Sequence, residues 1–274
     1  MQNLITIFAD TEELCNEDIN LSKSISDTIH DQYIVRTTDD IKSMPRQHRF
    51  SIPANIVVSQ KRSFEAARSY PDNRVCVLNF ASATNVGGGV LIGARAQEEC
   101  LCRCSTLYFA IGDPETERNF HIYHRKLLQS GKMNKLYNDD CIFSPGITVI
   151  KTDTELPQRL PESDRFTVDV ITCAAPDLNP YYEKIRITVE ELKELHKKRA
   201  KRILDIAVSE NEDVMILGAF GCGAFRNPPE IVAEAYREVV NEYLYDFKTI
   251  EFAVYCPPQS EGKNFQAFYN AFTN

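Results

Sequence analysis

Short continuous apolar runs alternate along this chain with longer segments that are apolar on one side only. Residues 75–80, 166–175 and 214–217 are predominantly apolar and read as buried strands, and Ile56 to Val58 and residues 250–256 read as further short strands. Helical segments lie between them. The longest covers residues 188–209, with Leu192, Leu195, Ile203, Leu204 and Ala207 on one side and charges on the other. Others run from about Ser63 to a turn near Pro71, over residues 97–109, through a basic segment (His121, His124, Arg125, Lys126) ending at Gly131, and over residues 263–272. Pro228 and Pro229 followed by Glu230 fit the start of a helix that continues to about Tyr245. Residues 141–152 read as two short strands joined by a turn at Ser144-Pro145-Gly146, and residues 156–165 as a proline-containing loop. Residues 10–31 read as helical without a continuous apolar stripe. Strands alternating with helices predict an α/β sandwich: a mixed or mainly parallel central sheet, helices on both faces, and an N-terminal helical extension. Residues 1–50 form an accessory region on this reading, and residues 51–274 one globular domain, with no repeat or low-complexity tract.

Composition narrows the classes of function. At 274 residues the chain can bury a substantial core. Its 31 basic and 39 acidic residues give a formal charge of -8, which argues against a surface that coats nucleic acid generally. Nine cysteines, an odd number in a chain of this size, read as reduced thiols of an intracellular protein. The first ten residues carry an acid and no basic segment, and no stretch has the apolar length needed to span a bilayer. The expectation is a cytoplasmic protein without a membrane partner.

Two glycine loops follow buried strands, where open α/β sheets bind ligands. The first is Gly87-Gly88-Gly89, and the second runs from Gly218 through Gly221, Cys222, Gly223, Ala224 and Phe225 to Asn227. Either loop alone can be a tight turn, but two together can cradle the two phosphates of a diphosphate with backbone N–H groups. Neither loop matches a common nucleotide motif. Ala224 and Phe225 stand where a Walker loop needs Lys and Ser/Thr, and Arg226 replaces the third glycine of a dinucleotide fingerprint. Gln97, Glu98 and Glu99 follow the first loop within a dozen residues, placing ionisable groups beside the cradle. Adjacent helical residues project about 100 degrees apart, so the two acids are expected to point in different directions and to have different tasks. Cys222 has no accompanying base in the sequence and reads as a packing residue, as do Cys100, Cys102 and Cys104. His121 and His124 lack further ligands for a metal and read as part of a solvated face, like the basic cluster Lys197, Lys198, Arg199, Lys201 and Arg202.

Gly87-Gly88-Gly89, seven residues, then Gln97-Glu98-Glu99 resembles the signature of the microbial-type poly(ADP-ribose) glycohydrolases, a branch of the macrodomain fold. Asn79-Phe80-Ala81 and the segment from Leu101 to Tyr108 share the family's style, and Gly218 to Asn227 resembles the macrodomain phosphate loop. The likeness extends across about residues 50 to 274, and residues 1 to 50 resemble the family's N-terminal accessory region. It implies a macrodomain-like three-layer sandwich and a pocket for ADP-ribose, poly(ADP-ribose) or ADP-ribosylated macromolecules, with no metal and no cofactor. Carried over by position, Glu99 is the catalytic acid, Glu98 orients the ribose and Phe225 packs on it. Asn79, Gly87, Gly88, Gly89, Gln97, Gly221, Cys222, Gly223 and Ala224 become substrate-binding positions. The sequence departs from the family pattern at Pro176-Asp177-Leu178-Asn179, where Asn more often follows the proline directly. Two other functions remain open at this point: a reader that binds ADP-ribose without cleaving it, and a hydrolase of another ADP-ribosyl linkage.

Overall fold

Val75–Phe80 lies at the centre of the sheet, in keeping with the buried strand that its apolar residues predict. The computed structural model describes residues 3–39, 48–181, 185–257, 260 and 262–273. Its strands are β1 (Tyr33–Val35), β2 (Asn55–Ser59), β3 (Val75–Phe80), β4 (Cys141–Val149), β5 (Phe166–Cys173), β6 (Val214–Leu217) and β7 (Thr249–Ala253). They lie side by side in the order β1-β4-β5-β3-β6-β7-β2. β4 runs antiparallel to both its neighbours and every other pair is parallel, so the sheet is mixed.

The helices are α1 (Leu4–Glu17), α2 (Ile19–Asp31), α3 (Ser63–Ala67), α4 (Gln97–Cys104), α5 (Leu107–Ile111), α6 (Pro114–Glu117), α7 (Tyr123–Gln129), α8 (Val189–Ser209), α9 (Pro229–Val240) and α10 (Lys263–Thr273). Successive strand residues face opposite sides. Val75 and Val77 therefore enter one core with Phe8, Phe64, Leu101 and Leu107 from α1, α3, α4 and α5. Cys76 and Leu78 enter the other with Ile203, Val232, Tyr236 and Phe268 from α8, α9 and α10. These two cores on either side of the sheet make the three-layer sandwich.

Several local expectations are corrected by caps and by contacts between distant segments. The helical stretch over residues 10–31 is two helices: Asp18 breaks it, its carboxylate accepting from the N–H groups of Asn20 and Leu21 to cap α2. The stretch over residues 97–109 is interrupted at Ser105, which is extended and bridges to Val149. Residues 141–149 form one strand rather than two, with a bulge between Ser144 and Ile147, where Asp169 Oδ1 accepts from the Gly146 N–H at 2.8 Å. β1, within the first fifty residues, supplies the edge of the sheet beside β4.

His121 and His124 are buried rather than solvated, and His124 Nε2 lies 2.9 Å from Asn138 Oδ1 and 3.2 Å from Asp140 Oδ2. Arg199 likewise leaves the basic cluster for the interior. Its guanidinium donates to Asp139 Oδ1 at 3.0 Å and to the carbonyls of Ala174 and Leu136. A buried guanidinium is tolerated because a carboxylate and two carbonyls take its donors.

Candidate active site

The carboxyl ends of β2, β3, β5, β6 and β7 carry loops that enclose a cavity of about 260 Å³. After β3 the chain turns sharply through Gly87 and Gly88, at φ +61° and +59°. Glycine adopts that left-handed region at no steric cost. At Gly88 the requirement is also spatial: a Cβ there would lie 2.5 Å from Glu99 Oε1 and 2.9 Å from Glu98 Oε2. Both acids therefore converge on one glycine. That corrects the expectation of divergent acids, since a separation of about 100 degrees at the backbone is recovered over the length of two glutamate side chains.

Each residue at the start of α4 has a different attachment. Gln97 ties the helix to β3, accepting from the Phe80 N–H at 2.8 Å and donating to Leu78 O at 2.7 Å and Ser63 Oγ at 3.0 Å. Glu98 accepts from the Ser82 N–H at 2.7 Å and, more weakly, from Asn79 Nδ2 at 3.4 Å. Burial pushes its carboxyl up to about 8, opposed by the Ser82 N–H and reinforced by the Glu99 charge. Glu99 accepts from the Gly89 N–H through Oε1 at 2.8 Å. Its Oε2 is buried and has no hydrogen-bond partner among the described residues.

The second loop is held from behind by Asn227. Its Nδ2 donates to Pro176 O at 2.7 Å and Gly221 O at 3.0 Å, which leaves Oδ1 to accept from His196 Nε2 at 2.9 Å. That pattern assigns the His196 proton to Nε2. Burial draws the imidazole down to about 4, so it is neutral near neutral pH. The divergent turn at residues 176–179 buttresses the same loop: Leu178 N–H donates to Phe225 O and Asn179 Nδ2 to Ala224 O.

Of the positions singled out from sequence, Gly88, Gln97, Glu98, Glu99, Gly221, Gly223, Ala224 and Phe225 line the cavity. Asn79 and Gly89 stand behind them, holding Glu98 and Glu99. Gly87 packs against Tyr108, whose ring a Cβ would meet at 2.7 Å. Cys222 packs on the core beside α9, and burial raises its thiol, which suits packing and not nucleophilic attack.

The structure adds residues that sequence motifs missed. Arg62, Ser63, Arg95, Cys100, Asp153 and Tyr255 also line the cavity. Arg62 and Ser63 follow β2 and Tyr255 follows β7, so the tendency of ligands to sit at strand ends was an available signal for these three. Asp153 had none: burial lifts its carboxyl to about 6, while Oδ2 accepts from the Phe64 N–H.

The model of the microbial-type PARG catalytic domain matches residues 4–152, more than half of the chain. The chain belongs to the microbial-type poly(ADP-ribose) glycohydrolase family. This glycohydrolase-family enzyme superposes on poly(ADP-ribose) glycohydrolase from Thermomonospora curvata with a TM-score of 0.86 and 27% identity, covering 98% of this chain and 99% of that one. The same protein bound to the inhibitor ADP-HPD gives a TM-score of 0.83 at 26% identity, with 98% and 99% covered. The enzyme from Deinococcus radiodurans in complex with ADP-ribose gives 0.79 at 28% identity, covering 91% of this chain and 96% of that one. No match was found among curated proteins. Among the described residues of this family member, no group of three or more His, Cys, Asp or Glu could hold a metal ion, and no helix is long and apolar enough to cross a membrane.

Proposed function

We propose that this chain hydrolyses the ribose-ribose O-glycosidic bond of poly(ADP-ribose), releasing ADP-ribose, with Glu99 as general acid and then general base. The observation that carries this reading is the division of labour within one carboxyl group. Glu99 Oε1 is fixed by the Gly89 N–H, while Oε2, buried beside the cavity, has no partner among the described residues. In the proposed step, Glu99 delivers a proton to the departing ribose 2′-oxygen as the C–O bond to the distal anomeric carbon breaks. The anomeric carbon becomes oxocarbenium-like, and ionised Glu99 then takes a proton from the attacking water.

Glu98 supports the same chemistry in another way. A carboxyl pushed up to about 8 is largely neutral at pH 7, so it can orient a ribose hydroxyl without adding a second negative charge near a diphosphate. The diphosphate lies between the two glycine loops on this reading, with Phe225 against the distal ribose. ADP-ribose in the related Deinococcus radiodurans enzyme supports that assignment of ligand class.

The test is incubation with poly(ADP-ribose) and, separately, with mono-ADP-ribosylated protein, measuring free ADP-ribose in EDTA. Release from polymer is the expected result. Release only from mono-ADP-ribosylated protein would transfer the activity to another linkage, and binding of ADP-ribose without release from either substrate would make the protein a reader.

A further inference from the structure

Across the rim of the cavity one carboxylate holds two guanidinium groups. Glu155 Oε2 lies 3.0 Å from Arg62 Nη2, and its Oε1 lies 2.7 Å from Arg95 Nη1. Arg62 and Arg95 are the two cationic side chains among the residues lining this cavity, whose other ionisable carboxyls are Glu98, Glu99 and Asp153. A ligand with two phosphates therefore enters a space whose cationic side chains are already engaged by a carboxylate.

We propose that Arg62 and Arg95 form a phosphate-binding pair at the rim, and that Glu155 occupies the pair until a substrate phosphate replaces it. The proposal rests on the reading of the protein as a poly(ADP-ribose) hydrolase. Carboxylate and phosphate compete for the same donors because both present oxygens at a spacing that guanidinium groups match. The bridge is placed to be exchanged. Glu155 is 62% exposed and the Arg95 side chain 71%, and ion pairs this open to water contribute little. Arg62 is the fixed half of the pair. Its side chain is only 13% exposed, its guanidinium carbon lies 3.8 Å from the centroid of the Tyr255 ring, and Nη1 reaches Cys100 Sγ at 3.5 Å. A guanidinium stacked on an aromatic face keeps its edge donors directed outwards along the ring plane. Arg95, two residues before Gln97-Glu98-Glu99, is the exposed half, with room around it to follow the incoming anion.

The experiment uses the full chain with Glu155→Gln, Arg95→Gln and the double variant. ADP-ribose affinity is measured by calorimetry, and KM and kcat on poly(ADP-ribose) are measured at several salt concentrations. Glu155→Gln should lower KM on polymer about 3- to 10-fold with kcat unchanged, and Arg95→Gln should raise it by a similar factor. Losing one phosphate contact should also make the salt dependence of Arg95→Gln shallower, by roughly 0.7 to 1 in the slope of log KM against log salt. In the Arg95→Gln background the gain from Glu155→Gln should shrink, because half of what Glu155 holds is gone.

Two sources of phosphate are separated by the ligands. A Kd for ADP-ribose that moves in step with KM identifies the diphosphate of the bound unit, and a change confined to polymer identifies that of the neighbouring unit. Wild-type KM, Kd and salt slope in Glu155→Gln, or weaker binding, would overturn the proposal and leave the bridge as a structural tie. Turnover of polymer by the wild-type chain tests the functional reading separately.

Discussion

Gly89 and Glu99 are joined by a hydrogen bond of 2.8 Å from the glycine N–H to the glutamate Oε1, ten residues along the chain. The bond fixes one carboxyl oxygen and, with the backbone turn at Gly88, aims the group at the cavity. Removing the proton from that group without changing its size isolates its chemical role. Glu99→Gln should lower kcat on poly(ADP-ribose) by about 10²-fold to 10⁴-fold and leave ADP-ribose affinity nearly unchanged. Glu98→Gln should be milder, because on the proposed mechanism it alters ribose orientation and keeps the acid. Turnover beside calorimetric affinity for both variants checks the pair of outcomes, and near-normal turnover in Glu99→Gln would remove Glu99 from the mechanism.

Gly88 leaves no room for a side chain between the two acids. With φ at +59° and a Cβ only 2.5 Å from Glu99 Oε1, Gly88→Ala must both strain the turn and push the carboxyls apart. Stability should fall by about 1 to 3 kcal/mol, and turnover should fall further than ADP-ribose affinity. Urea unfolding together with kcat and Kd would separate the two effects. A variant with wild-type kcat would mean that the spacing of the acids is not critical.

The raised Glu98 carboxyl makes stability depend on pH in a definite direction. Between its ordinary 4.5 and about 8 the unfolded chain binds fewer protons than the native one, so this group's contribution falls as pH rises through that window. Glu98→Gln removes the dependence and should be progressively stabilised relative to wild type towards pH 8, on the order of 3 to 5 kcal/mol. Denaturation of both proteins at a series of pH values reads the difference, and parallel curves would refute it.

His196 acts with the opposite sign. Its imidazole is held down at about 4 against an ordinary 6.5, so the stability it supplies is full above 6.5 and is lost as pH falls towards 4. His196→Gln can still donate to Asn227 Oδ1 but cannot titrate there. It should lose part of the acid sensitivity of ADP-ribose binding, measured by calorimetry across this range. Equal acid sensitivity in the two proteins would dissociate His196 from the second glycine loop.

Phe225 lines the cavity and is only partly buried against the neighbouring core. Phe225→Ala should therefore cost more in turnover than in stability: about 10-fold to 100-fold in kcat through lost orientation of the distal ribose. Thermal unfolding and turnover of the same preparation check it. A large drop in melting temperature with normal turnover of the folded fraction would make Phe225 a packing residue.

The alternation of strands and helices from residue 55 onwards, and the glycine turn with the acids that follow it, were legible in the sequence because both depend on local pattern. The apolar run at residues 75–80 gave its strand at both ends, and Thr188 caps α8 through a hydrogen bond to the Glu191 N–H. Consecutive glycines before Gln97-Glu98-Glu99 located the turn and the acids before any packing was known. Boundaries failed where a distant residue intervened, as at Ser105, whose extended backbone pairs with Val149.

What the sequence determined by itself was the repertoire: most of the central strands, where glycine must turn, and which acids stand near the turn. Tertiary structure alone decided what those groups are. It set the convergence of Glu98 and Glu99 on Gly88, the burial that holds Glu98 protonated, the support of one glycine loop by His196 through Asn227, and the entry of Arg62, Arg95 and Asp153 into the cavity. The physical reason is range. Backbone preference and hydrophobic period act over a few residues, whereas desolvation and hydrogen-bond partnership are fixed by neighbours from other segments, as between Asn79 and Thr172, 93 residues apart.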